Sequence, residues 1–109
     1  MARRENAKLV LVTCGRLAEA RNIARAVIEN RLAACVNVIS APVESIYRWK
    51  GKVESAKEFL LVIKTTGHRI RGLEQAITRL HSYDVPEFLI LKVSGGSRKY
   101  LKWVGDSVR

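Results

Sequence analysis

The sequence offers few side chains able to ligate a metal ion or act as a strong nucleophile. Its only thiols and imidazoles are Cys14, Cys35, His68 and His81. Cys14 ends the apolar run Lys8-Leu9-Val10-Leu11-Val12-Thr13-Cys14 and precedes Gly15. The end of a strand beside a glycine turn is a usual place for a reactive group. As a thiolate, Cys14 suits soft ions such as Cu(I) and, less selectively, Zn. As a thiol it is a small buried hydrophobe. Both readings stand at this level. Cys35 sits between Ala34 and Val36 in strand-like sequence and is expected in the core. His81 closes an apolar helical stripe, where an imidazole either binds metal or caps the last carbonyls. No HxxxH, CxxC or clustered carboxylates accompany these residues, so a closed metal site within one subunit is not expected. Nor does spacing support a Ser/His/Asp or Cys/His catalytic grouping.

The elements that must position these groups are legible from periodicity. Residues 8–14 predict a strand that is apolar on both faces. Ala20, Ile23, Ala24, Val27 and Ile28 recur at helical spacing over residues 17–31. Residues 33–64 predict one long β-hairpin with its turn at Lys50-Gly51, where Gly51 can take a positive φ. A straight seventeen-residue arm would span roughly 55 Å, so the tip around Trp49 should overhang the core unless the arm bends. Pro42 is the expected place for that bend. Ile70, Leu73, Ile77 and Leu80 mark a second helix, residues 87–93 a further strand, and Ser97 the cap of a last helix. The order is β-α-β-β-α-β with an extra C-terminal helix, an α+β, ferredoxin-like sandwich. Two helices on one sheet face leave the other open, yet residues 9–12, 59–63 and 88–91 are apolar on both faces. The overlong hairpin and the two-faced strands both predict an obligate oligomer.

The chain of 109 residues is expected to be one domain over residues 8–109, preceded by a disordered polar tail over residues 1–7. Twenty Lys and Arg against ten Asp and Glu leave a net charge of +10. The cations are scattered, with no run of five or six, so nucleic acid is not the expected partner. Two cysteines make no disulfide framework, and the apolar run at residues 9–12 is too short for a signal peptide or membrane span. A cytoplasmic protein with no membrane association is expected.

Five motifs resemble the CutA divalent-cation tolerance proteins: Leu32-Ala33-Ala34-Cys35-Val36-Asn37, Ser45-Ile46-Tyr47-Arg48-Trp49-Lys50-Gly51-Lys52, Glu58 with Ile63-Lys64-Thr65, His81-Ser82-Tyr83-Asp84-Val85-Pro86-Glu87, and Tyr100-Leu101-Lys102-Trp103. The resemblance covers essentially residues 8–109. It implies a ferredoxin-like subunit in a homotrimer similar to the PII signalling proteins. It also implies a role in tolerance of copper and other divalent cations, with metal binding in some members, no established enzymatic reaction and no organic cofactor. A cysteine at the position of Cys14 is a proposed copper ligand in that family. Some relatives carry a His-His pair where this chain has Leu80-His81, and Ser82 replaces their usual proline; this weakens a site built on two imidazoles. The metal residues carried over are Cys14 and His81, and the ion is copper or another divalent cation, weakly bound. By the same resemblance, Tyr47, Trp49, Glu58, Lys64, Tyr83, Glu87 and Trp103 gather near clefts between subunits. Aromatic walls with charged groups describe either a small-ligand pocket or a subunit interface. Trp49 and Trp103 are assigned to the interface. Tyr47, Glu58, Lys64, Tyr83 and Glu87 are assigned to a ligand cleft, with Lys64 pairing Glu87 or Glu58 as an equal alternative.

The leading reading is therefore a non-enzymatic homotrimer that binds metal ions. A PII-like sensor of a small anion in the intersubunit cleft is the alternative, favoured by the positive charge. An RNA-recognition module shares the element order, but Lys57-Glu58-Phe59-Leu60-Leu61 lacks the aromatic and glycine pattern. An acylphosphatase-like enzyme would need a phosphate-cradling loop, and Cys14-Gly15-Arg16-Leu17 offers too little.

Overall fold

Apolar periodicity, turn chemistry and register together build one twisted antiparallel sheet with the first two helices packed on one side. The computed structural model describes residues 6–109. Strands β1 (Ala7–Cys14), β2 (Cys35–Val38), β3 (Val43–Trp49), β4 (Lys52–Thr66) and β5 (Leu89–Lys92) alternate with helices α1 (Leu17–Glu29), α2 (Ile70–Leu80) and α3 (Arg98–Ser107). Of the tail expected over residues 1–7, residues 1–5 lie outside the described residues, and Ala7 is a buried member of β1. The strand order is β2-β4-β1-β5, with β3 also paired to β4.

The hairpin forms as its turn chemistry dictates. Lys50 and Gly51 both take positive φ, +52° and +79°, which suits the right-handed twist of the arms. The outgoing arm does bend. Val38 pairs with Leu61 and Val43 with Glu58, so five residue steps (43 − 38) lie opposite three (61 − 58). The two surplus residues form a bulge that ends at Pro42, which cannot donate to a ladder. Even bent, the hairpin makes the molecule elongate, with extents of 47 × 26 × 24 Å.

The core lies between the sheet and the α1–α2 layer. Val10, Val12 and Cys14 of β1 and Leu61 and Ile63 of β4 point into it at period two. Ile23 and Val27 of α1 and Leu73 and Ile77 of α2 meet them at helical spacing. Helix α1 stops where Arg31 adopts φ +58°: the Arg31 N–H donates to Ile28 O and the Leu32 N–H to Val27 O, a Schellman closure. Ser97 caps α3 by accepting from the Tyr100 N–H at 3.3 Å. Two sequence expectations are corrected here. The strand expected over residues 87–93 shrinks to Leu89–Lys92 and is exposed throughout. Cys35 is half-buried and does not join the core, because the β2–β4 register gives the inward positions to Val36 and Val38.

Candidate functional site

Three elements converge at the C-terminal end of β1. Cys14 is the last residue of that strand, Glu19 lies in the first turn of α1, and His81 directly follows α2. Their Sγ, carboxylate and imidazole ligand atoms all lie within 4.8 Å of one another. Cys14 is fully buried and His81 nearly so.

The hydrogen bonds decide what this trio can do. His81 Nε2 lies 2.7 Å from Thr13 O, which can only accept, so Nε2 donates. The Tyr83 N–H donates to His81 Nδ1 at 3.0 Å, which requires a lone pair there. The Nε2–H tautomer satisfies both partners. Glu19 Oε2 lies 3.3 Å from the same Nδ1. An ion pair would need a proton on Nδ1, but the Tyr83 amide hydrogen already points there and cannot be removed. Glu19 is held by Ser82 instead, whose N–H and Oγ–H each donate to one carboxylate oxygen at 2.8 Å. Burial pushes the Glu19 carboxyl up, but the two Ser82 hydrogen bonds, with the Arg16 charge nearby, outweigh it and leave it below the usual range. The Cys14 thiol goes the other way. Burial first, then the charges of Glu19 and Glu58, push it from 9.0 up to about 12.

A protonated thiol beside an imidazole whose acceptor is engaged makes a poor nucleophile–base pair. The same atoms are a soft sulfur, a borderline nitrogen and a hard oxygen, which together fit a soft-to-borderline cation. Binding one requires loss of the thiol proton and displacement of the Tyr83 N–H from Nδ1. Sequence reasoning named Cys14 and His81 but missed Glu19, which lies off the apolar stripe of α1. No spacing signal links it to Ser82, 63 residues away. The Ser82 that departs from the family's proline is what holds Glu19, since proline has no N–H and no hydroxyl.

A second concavity of about 680 Å3 opens between the β3–β4 hairpin and the loop after α2. Tyr47, Trp49, Glu58, Tyr83 and Glu87 of the single chain line it. Tyr47 and Trp49 share a hairpin face with Val43, and Val43 pairs with Glu58. The Tyr83 hydroxyl donates to Glu58 Oε2 at 2.8 Å. Burial, and then the Glu58 charge, raise the Glu87 pKa. Lys64 is not in this cleft. It lies six residues along β4 from Glu58, roughly 20 Å away, and its ammonium donates to Asn37 Oδ1 on β2. The expected Lys64–Glu58 or Lys64–Glu87 ion pair is absent among the described residues. Among the described residues, no Lys or Arg of the single chain lines this cleft. Trp49 and Trp103 are both exposed in the single chain.

The sheet order and helix layer define a ferredoxin-like α+β protein, and likeness to solved structures narrows this class. A structure from Thermus thermophilus, described as a divalent cation tolerance protein (Cut A1), superposes with a TM-score of 0.92 at 42% identity, covering 94% of this chain and 99% of that one. The profile of the CutA1 divalent ion tolerance protein family matches residues 8–107, and the chain belongs to that family. The Thermus thermophilus divalent-cation tolerance protein CutA is 43% identical over 100 residues, 92% of this chain and 96% of that protein. The chloroplastic CutA of Arabidopsis thaliana is 41% identical over 101 residues, 93% of this chain; the chain spans only 55% of that relative's length.

Proposed function

We propose that this chain acts in divalent-cation tolerance as a non-enzymatic homotrimer that binds a cation, copper being the leading candidate, through Cys14, Glu19 and His81. The observation that carries this reading is the meeting of three chemically different donors within 4.8 Å at the end of β1. The family membership supplies the physiological context. The cost of removing a thiol proton that burial holds this tightly makes the binding weak, and soft copper(I) offsets that cost better than harder ions. Titration calorimetry with copper(I), buffered by a competing chelator, tests the assignment. Cys14→Ala should weaken binding at least about tenfold, which is ~1.4 kcal/mol, while the sedimentation coefficient stays unchanged. Unchanged affinity removes Cys14 from the site.

The assembly rests on apolar surface that one chain leaves wet. Leu89, Ile90 and Leu91 of β5 are 55%, 50% and 41% exposed, and Ile46, Trp49 and Val53 stand out on the hairpin. Edge strands of this kind are covered in stable proteins, and neighbouring copies are the covering proposed here. The number three follows the resemblance to PII-like trimers, with Trp49 and Trp103 at the contacts. The free thiols Cys14 and Cys35 favour a reducing compartment, the cytoplasm. Among the described residues no helix is long and apolar enough to cross a membrane.

A further inference from the structure

The trio at the end of β1 sits out of water. Cys14 is fully buried, and the side chains of His81 and Glu19 are 0% and 9% exposed. An ion held there must be nearly neutralised by its ligands, because uncompensated charge in such surroundings is expensive. Once its proton is lost, Cys14 carries one negative charge, and His81 binds as a neutral imidazole. Those two donors are enough to neutralise copper(I). A divalent ion leaves one positive charge over, and Glu19 is the group placed to meet it, its Oε2 lying 3.3 Å from His81 Nδ1. Among the described residues no Lys or Arg lies within ion-pair distance of Glu19, so that negative charge is uncommitted. Helix α1 places Glu19 in its first turn, but the carboxylate itself is fixed from the opposite side of the site. The Ser82 N–H donates to Oε2 and the Ser82 hydroxyl to Oε1, each at 2.8 Å. A carboxylate oxygen that accepts one hydrogen bond keeps a lone pair for a cation. His81 is oriented in the same manner from its far side, by the bond from Nε2–H to Thr13 O.

We propose that Ser82 determines the specificity of the cation site: by fixing Glu19 beside His81 it supplies the second negative charge that a divalent ion needs and copper(I) does not. The inference rests on the cation site proposed for this chain and adds the class of ion that the site is extended to accept, a borderline divalent cation. Ser82 touches no ion. It is a positioning residue that acts through Glu19, and it is itself exposed, directly after His81. Its two donors differ in kind. The hydroxyl can be removed by a side-chain substitution alone, whereas the N–H is lost only with proline.

Titrations of the full chain with cobalt(II) and, under anaerobic reducing conditions, with chelator-buffered copper(I) test the proposal. Ser82→Ala should lower cobalt(II) affinity about tenfold, the usual effect of losing a hydrogen bond to a ligand, and copper(I) affinity by less. The ratio of the two affinities therefore falls. Ser82→Pro removes both donors and should lower the ratio further. His81, at φ −82° and ψ 143°, already has the backbone conformation that a residue before proline takes. Ser82→Thr keeps both donors and should keep the wild-type ratio. Beside Glu19→Gln, Ser82→Ala should change the ratio no further, since Ser82 works through that carboxylate. The thiolate-to-cobalt charge-transfer band should persist in Ser82→Ala, because Cys14 still ligates. A circular-dichroism melt reports folding, and should Ser82→Pro not fold, Ser82→Ala decides. Equal loss of both ions, loss of the charge-transfer band in Ser82→Ala, or a Ser82→Ala effect that persists beside Glu19→Gln overturns the proposal. Copper(I) binding that depends on Cys14, with an unchanged ratio in every folded Ser82 variant, overturns this inference alone. Copper(I) affinity that Cys14→Ala leaves unchanged overturns the cation site, and this inference with it.

Discussion

Cys14 and Tyr83 carry most of the unusual acid–base chemistry of the molecule. The folded state holds the Cys14 proton up to about 12, while an ordinary thiol releases it near 9.0. Above pH 9 the unfolded chain has therefore lost a proton that the folded chain keeps, and stability falls as pH rises. We predict a loss of up to about 1.4 kcal/mol per pH unit from this group between its two pKa values. Urea unfolding at stepped alkaline pH checks it, and Cys14→Ser should show a shallower slope than the wild type. Tyr83, also raised, adds the same sign from its ordinary 10.0 upward. Glu19 acts in the acid range with the opposite sense. Its carboxyl is lowered, so its contribution is present above the ordinary 4.5 and is lost as pH falls below that value. Tyr83→Phe removes the one hydroxyl that, among the described residues, donates to Glu58. It is predicted to cost about 1–3 kcal/mol in equilibrium unfolding, the penalty of an unsatisfied part-buried acceptor. A change within a few tenths would mean that Glu58 is satisfied without it.

Among the elements, the hairpin depends on two left-handed residues and a bulge. Gly51 at φ +79° has open space around the position of a Cβ, so Gly51→Ala costs only backbone strain. We expect a loss of about 1–2 kcal/mol, read as faster amide exchange along β3 and the first half of β4 with β1 unaffected. Uniform acceleration across the sheet would contradict it, since the tip carries no core residue. Leu61 is the counterpart inside. It is fully buried at the centre of β4, and Leu61→Ala is predicted to destabilise by about 2–5 kcal/mol in denaturant titration. The hairpin and both large helices were legible because their signals are local: a glycine turn, a proline break, and apolar residues at periods of 2 and 3.6. The length of β5 was not. Leu89 to Lys92 pair only with β1, and the apolar residues beyond that ladder belong to loops.

At the scale of the whole molecule, exposed apolar surface is the deciding quantity. Leu89 and Leu91 are 55% and 41% exposed, so covering what remains contributes roughly 1 kcal/mol per side chain. The paired substitution Leu89→Lys with Leu91→Lys should therefore shift the protein towards single chains in sedimentation velocity while leaving the far-ultraviolet dichroism of the subunit intact. A wild-type chain that sediments as a stable monomer at micromolar concentration would remove the assembly from the proposed function.

Local composition and spacing were enough for the order of elements, the turn at Lys50-Gly51, the break near Pro42 and the candidacy of Cys14 and His81. Each of these depends on neighbours a few residues away, and chain geometry makes such neighbours predictable. The partners of those residues were a different matter. Glu19 reaches Ser82 across 63 positions, Lys64 turns to Asn37 rather than to Glu58, and Cys35 leaves the core through a register parity. Pairing across the fold depends on which strands lie side by side and which face each residue then presents. A one-residue slip reverses every such assignment, so only the folded sheet could make them.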